Sequence, residues 1–385
     1  MSAAGNVEGN VDPAFAAVRD AFAANFADGL ELGAALSVSV DGRTVVDLWG
    51  GHLDQARSRP WERDSLVCVF SCTKGVVAIA TMWAVARGLV DLDRPVASYW
   101  PEFAAEGKAD LPVRWLLTHE AGLPAIGTRL EFGALSDWDA MTTALAAQAP
   151  WWEPGAGHGY HGVTFGHLVG EVLRRATGRT AGQIVREELG GPLGVDLLMP
   201  LDAADDARTA DLVVAMSPDG TFFDRWDPKT SLGPRAFGNP PDCNDPNHCM
   251  TPAFRRAEIP AANMHADARA LDRLYSVLAC GGAVPGLDLA PTELVEEFGR
   301  CHVRGDDLVM ELPTAFGLGF EHTIPEWTFG PGARTYGHNG SGGSLGIVDP
   351  DAGVSLGYVM NRLWWGPTRS DPRWAGIFDA LYTAL

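Results

Sequence analysis

Ser71-Cys72-Thr73-Lys74 combines two residue types whose spacing can support covalent catalysis. A serine hydroxyl is a weak nucleophile at neutral pH and needs a neighbouring base. Residues three apart share a helix face, so a helix beginning here places the Lys74 amine over the Ser71 hydroxyl. A lysine kept partly neutral can take that proton, and the helix start offers backbone N–H groups to a developing oxyanion. The same tetrapeptide also reads as an N-cap serine followed by an exposed lysine, so its surroundings must decide. A second candidate serine lies in Gly342-Gly343-Ser344-Leu345-Gly346, which matches G-x-S-x-G. That motif requires strand, sharp turn and helix, then an acid and a histidine in chain order. Ser344 is followed by a strand pattern and a turn, and the last histidine is His338, which precedes it. Ser344 is therefore not the nucleophile of such a triad. Cys243 and Cys249 bracket His248 in C-N-D-P-N-H-C, but zinc spacing pairs two such knuckles and no second one exists, so these read as loop thiols.

The elements that must position Ser71 are readable on both sides of it. Residues 15–26 have helical spacing, and 34–40 and 44–49 read as two strands around an Asp41-Gly42 hairpin turn. A short strand at 66–70 leads into an apolar helix over 71–87 that stops at Gly88. The middle of the chain reads as helices at 112–118, 137–148, 163–177, 180–189, 266–280 and 288–299 with long loops. Strand patterns return at 314–321, 334–339, 344–349 and 354–361, before a last helix at about 371–383. Strands at both termini around a helical middle predict an α/β (α+β) fold. One antiparallel sheet is built from both chain ends and flanked by helices, with a mainly helical region inserted. The expected division is 1–90 with 306–385 for the sheet domain and 91–305 for the insert. A site in the cleft between them is expected, covered by the Pro- and aromatic-rich loop 217–260.

Downstream of the helix, Gly88-Leu89-Val90-Asp91-Leu92-Asp93-Arg94-Pro95-Val96, Tyr99-Trp100-Pro101-Glu102-Phe103 and Val113-Arg114-Trp115-Leu116-Leu117-Thr118-His119-Glu120-Ala121-Gly122-Leu123 follow in order. With S-x-x-K, these runs resemble the serine hydrolases of the penicillin-recognising (β-lactamase/transpeptidase-like) fold. That family includes class C β-lactamases, D-alanyl-D-alanine carboxypeptidases and the carboxylesterases that look like class C β-lactamases. The resemblance spans most of residues 33 to 361 and implies an acyl-enzyme mechanism without metal or organic cofactor. It implies Ser71 as nucleophile, Lys74 as its proton acceptor, and Tyr160 in the place of the family's Tyr-x-Asn tyrosine, acting as a phenolate beside Lys74 or sharing a proton with it. Gly162 stands where that motif has asparagine, which removes an amide that would contact a substrate amide. His338-Asn339-Gly340 stands where the family has K-T-G. His338 is mostly neutral at pH 7 and cannot supply the fixed charge that binds a penicillin or peptide carboxylate. Gly340 allows close backbone approach, and the Ser341 amide joins that of Ser71 as the implied oxyanion hole. His119 reads as a structural residue at a helix end. Trp151, Trp152 and Trp226 are expected to frame an apolar pocket.

The 385 residues carry a net charge of −20, which opposes binding to nucleic acid or anionic membrane surfaces. With 46% hydrophobic and 20% charged residues, the chain has the composition of a globular protein and not of a disordered one. Met1 to Pro13 lacks the basic start and apolar run of a signal peptide, and the longest apolar stretch, Gly75 to Ala86, is too short for a span, so a cytoplasmic protein is expected. The expected activity is hydrolysis of small-molecule esters of small to medium carboxylic acids. Amide or peptide hydrolysis, β-lactam hydrolysis and acyl transfer are alternatives on the same fold. A catalytically silent binding module is the alternative of another class, disfavoured because nothing structural demands Ser71, Lys74 and Tyr160 together. Oligomeric state is left open.

Overall fold

A computed structural model of the chain describes residues 7–245 and 247–385. Its centre is a nine-stranded sheet. The strands are β1 (Val7–Val11), β2 (Gly33–Val40), β3 (Arg43–Gly51), β4 (Val303–Asp306), β5 (Pro313–Phe316), β6 (Glu321–His322), β7 (Tyr336–Asn339), β8 (Leu345–Asp349) and β9 (Val354–Met360). They lie in the order β1-β3-β2-β9-β8-β7-β6-β5-β4, with every neighbouring pair antiparallel. The two chain ends meet where β9 pairs with β2, so one sheet is assembled from both termini, as the distribution of strand patterns implies. Asp41 and Gly42 both have positive φ in the β2–β3 turn, the geometry that a two-residue hairpin of matching twist requires. β1 escapes pattern reading because Gly9 and Asn10 interrupt it; it pairs only as an edge strand against β3.

Alternation along β9 separates two helical layers. Gly357 faces α4 (Ala268–Ala279), and its missing side chain lets that helix lie against the sheet. The next residue, Tyr358, faces α1 (Ala16–Ala27) through an edge-on contact with Phe22. α1 packs with the C-terminal helix α5 (Pro372–Ala384) on that side. On the opposite side lies α2 (Cys72–Ala86), against β7 and β8, and in front of it α3 (Thr164–Thr177) from the helical region. Residues 72–84 of α2 are all buried, so this helix is apolar around its circumference and runs through the interior. The sheet layer also takes α4, from within the 91–305 stretch, and β4 crosses the boundary expected at 305. The helical middle therefore contributes one of its own helices to the sheet's packing. No helix among the described residues is long and apolar enough to cross a membrane.

Candidate active site

The two-residue strand Val67–Cys68 turns into α2 through Phe70, a non-glycine residue at φ +44, an unfavourable conformation of the kind held in place at functional turns. Ser71 is the N-cap of α2, and Lys74 lies one turn further. The lysine is fully buried. Its Nζ is 3.1 Å from Ser71 Oγ and donates to the carbonyl oxygens of Gly162 at 2.7 Å and Ala261 at 3.0 Å. Burial pushes its pKa down to about 7, with the nearby Glu321 charge acting in the opposite direction. A neutral amine has two N–H bonds and one lone pair. If the two carbonyls take the N–H bonds, the lone pair is left for the Ser71 hydroxyl.

Tyr160 and Ser71 border one cavity, and the Tyr160 ring centroid is 4.8 Å from Lys74 Nζ. Its backbone N–H donates to the buried Asp307 carboxylate at 3.1 Å, and the His119 ring packs edge-on against its own at 5.1 Å. His119, at φ +64 and buried, also accepts the His161 N–H at 3.1 Å through Nδ1. It therefore builds the wall behind Tyr160, consistent with its reading as a structural residue. Burial, followed by the Glu321 charge, raises the phenol pKa well above its ordinary range, against the opposing effect of a hydrogen bond with Ser71. Desolvation therefore favours the neutral phenol over the phenolate form that the resemblance allowed.

Gly340 ends β7 tightly against the backbone before Ser71: a Cβ there would overlap the Val69 carbonyl. This approach brings Gly340 and Ser341 to the cavity wall beside Ser71. Among the described residues, neither the Ser71 nor the Ser341 amide donates to an acceptor within the chain. Both are therefore free to donate to a substrate oxygen. The Ser341 hydroxyl is held by the Trp365 indole N–H at 3.0 Å.

His338 does not line the cavity. Its side chain turns toward α2 at Gly75 and is buried, with Nδ1 2.7 Å from the Asn339 carbonyl oxygen and 3.9 Å from Glu321 Oε2. Burial pushes its pKa down to about 4, so it is neutral near pH 7, as its residue type suggested. Like Lys74, it lies just behind the cavity wall, its ring centroid 6.0 Å from that of Tyr160. The charged groups that sequence reasoning missed are Glu321 on β6 and Arg369, which pair at 2.5 Å. Arg369 borders the cavity. Their only sequence signal was an acid ending a strand pattern, with its partner 48 residues away.

The cavity, of about 110 Å³, is walled by Phe222, Phe223, Phe237, Met310, Trp364, Trp365 and Trp374. The loop beginning at 217 does cover the site. The expected tryptophans are a different matter: Trp226 stacks behind Phe237 at 5.5 Å, and Trp151 and Trp152 pack away from the opening. Gly162 explains the missing amide, since a Cβ at that position would overlap the Phe237 ring. An aromatic ring thus occupies the space beside Gly162 into which a side chain there would project. Ser344 is fully buried and leads into β8, with no elbow or following helix. Cys243 and Cys249 are free thiols, and among the described residues no cluster of His, Cys, Asp and Glu is placed to hold a metal ion.

The coupling of Lys74 to Glu321 predicts a pH effect. If neutral Lys74 is the base, kcat/KM rises with pH through about 7 and is lost as the lysine protonates below that. In Glu321→Gln, loss of the charge that raises the Lys74 pKa should move this acidic limb to lower pH. The measurement is a pH profile of kcat/KM alongside a melting curve; a limb that stays in place contradicts the coupling.

A serine and a lysine at a helix start, a tyrosine across the cleft and two free amides, one at that helix start and one just after β7, define a serine hydrolase of the penicillin-recognising kind. The chain belongs to the Beta-lactamase family, whose pattern matches residues 20–379. It is 38% identical over 377 residues to the esterase/beta-lactamase LipL of Mycobacterium tuberculosis, covering 93% of this chain and 83% of that protein. Among solved structures, it is similar to a novel penicillin-binding protein homolog from Caulobacter crescentus, with a TM-score of 0.90 and 39% identity over 99% of this chain and 100% of that one. A family VIII carboxylesterase gives a TM-score of 0.89 and 36% identity, again over 99% and 100%.

Proposed function

We propose that the protein is a carboxylesterase that cleaves esters of small to medium carboxylic acids through an acyl-enzyme on Ser71. The observation that carries this reading is the Phe237 ring packed against Gly162. The site has no side-chain amide at position 162 and no lysine at position 338, and it meets the substrate with aromatic surface. Neutral Lys74 takes the Ser71 proton as Oγ attacks the carbonyl carbon, and the Ser71 and Ser341 amides bind the oxyanion. Tyr160 gives its proton to the departing alkoxide and recovers one through Lys74. Water then attacks the acyl-enzyme with Lys74 again as base, releasing the acid and restoring Ser71. The names of the esterase/beta-lactamase LipL and of the family VIII carboxylesterase agree with this reading.

The test compares p-nitrophenyl butyrate, nitrocefin and D-alanyl-p-nitroanilide in wild type and Ser71→Ala. The ester is expected to be the best substrate, with its turnover lost in Ser71→Ala and kept in Ser344→Ala. Undiminished ester turnover in Ser71→Ala would sink the reading, and nitrocefin as the best substrate would move it to β-lactamase. Phe237→Ala removes one aromatic wall of the cavity, and if that wall bounds the acyl chain the preferred p-nitrophenyl ester should lengthen by several carbons. A gain of roughly tenfold in kcat/KM for the longer esters relative to butyrate is expected, in line with the worth of buried methylenes.

A further inference from the structure

Behind the Gly340–Ser344 turn lies a buried charge that the mechanism above does not use. Arg373, at the start of α5, is 1% exposed. Its guanidinium donates to Asp371 at 2.8 and 2.5 Å, to the Arg362 carbonyl oxygen at 2.8 Å, to Glu31 at 3.3 Å and to the Gly342 carbonyl oxygen. Burial pushes the Glu31 pKa up to about 8, and Tyr358 donates to its carboxyl group. The cluster thus sets an Arg373–Asp371 pair, with Glu31 on its far side, so that the cation lies against the turn.

The peptide that accepts from Arg373 through Gly342 O carries the Gly343 N–H at its other end. That N–H donates to Gly340 O at 3.0 Å. The peptide containing Gly340 O ends in the Ser341 N–H, the amide free at the cavity wall. Trp364 N–H at 3.0 Å also holds Gly342 O, and the Trp374 indole N–H at 3.1 Å holds Gly343 O. Gly343 lies at φ +120, and a Cβ there would overlap the Arg373 and Asp371 side chains, so the turn and the cluster fit only with glycine between them. We propose that Arg373 is a positioning residue for the oxyanion hole, orienting and polarising the Ser341 amide through two successive hydrogen-bonded peptide groups. Peptide dipoles linked head to tail strengthen one another, and a cation at the far end adds to the donor strength at the near end. An amide so aligned stabilises the tetrahedral oxyanion more than the ground-state carbonyl, so the effect falls on kcat.

The inference rests on Ser71 as nucleophile, and its test keeps the two apart. Hydrolysis of p-nitrophenyl butyrate and the affinity for n-butylboronic acid, whose serine adduct is tetrahedral, are measured in R373Q, R373K and W374F with melting curves. Removing one oxyanion donor costs roughly 10²–10³ in kcat. Mispositioning it in R373Q is therefore expected to lower kcat roughly 10- to 100-fold, with KM within threefold and boronate affinity falling in step. R373K should recover part of the loss, and W374F should lose roughly threefold to tenfold in both readouts. A folded R373Q with wild-type kcat, or one whose kcat falls while boronate affinity holds, overturns the proposal. If R373Q does not fold, unchanged kcat and boronate affinity in both R373K and W374F overturn it. Turnover that survives Ser71→Ala refutes the esterase reading itself; Ser71-dependent turnover indifferent to Arg373 refutes only this inference.

Discussion

In Lys74→Met, hydrolysis of p-nitrophenyl butyrate is expected to fall by roughly three to four orders of magnitude, the upper range for loss of a positioned general base. Three features combine at this side chain. It is fully buried, its amine is 3.1 Å from Ser71 Oγ, and burial brings its pKa to about 7, where proton transfer and the neutral form are both favourable. Lys74→Arg should not rescue activity, because a guanidinium stays protonated and has no lone pair to offer. Stability should respond less than activity. Methionine fills the buried space without a charge to desolvate, but it leaves the Gly162 and Ala261 carbonyl oxygens without that donor, each worth about 1–3 kcal/mol if left unpaired. Steady-state kinetics beside a melting curve checks both parts; a folded Lys74→Met with more than a tenth of wild-type turnover contradicts the assignment.

Tyr160→Phe is expected to have its effect divided by leaving group. An alkyl ester expels a strongly basic alkoxide that needs a proton in the transition state, whereas p-nitrophenolate leaves without one. The phenol of Tyr160, raised well above its ordinary pKa by burial, is a proton donor near neutral pH. Turnover of an ethyl ester should therefore drop roughly 10²–10³-fold and that of the p-nitrophenyl ester by less than about tenfold. Equal losses for both esters would assign Tyr160 to positioning alone, or to serving as the base that Lys74 is argued to be. Phenylalanine keeps the ring against His119 and Phe316, so the packing that holds this segment survives the change.

The features that follow from local physics were readable from local pattern. Helix geometry places Lys74 over Ser71, and Asp41-Gly42 specifies its hairpin, so both were readable without long-range contacts. The ordered motifs after the helix carried the fold. What escaped depends on residues far apart in the chain. Glu321 pairs with Arg369, and Arg373 reaches Glu31 and Gly342. No periodicity announces such meetings. The side of a strand a residue faces also escaped at His338, which turns toward α2 and not into the cavity. The pocket tryptophans escaped as well: Trp364 and Trp365, on the short strand Arg362–Trp365, and Trp374 on α5 line the cavity, while Trp151, Trp152 and Trp226, expected there because they lie near loops, do not. The rise in the Tyr160 pKa comes from burial and the sequence-distant Glu321 charge, which only three-dimensional packing reveals.

The central claim is that Ser71, and neither Ser344 nor a cysteine, carries the acyl group. Treating the protein with an alkyl p-nitrophenyl phosphonate and mapping the adduct by peptide mass spectrometry tests it directly. The account predicts one equivalent of p-nitrophenol released per chain, loss of esterase activity in step, and the phosphonyl group on Ser71; an adduct on Ser344 or a cysteine, or inactivation without an adduct on Ser71, would contradict it.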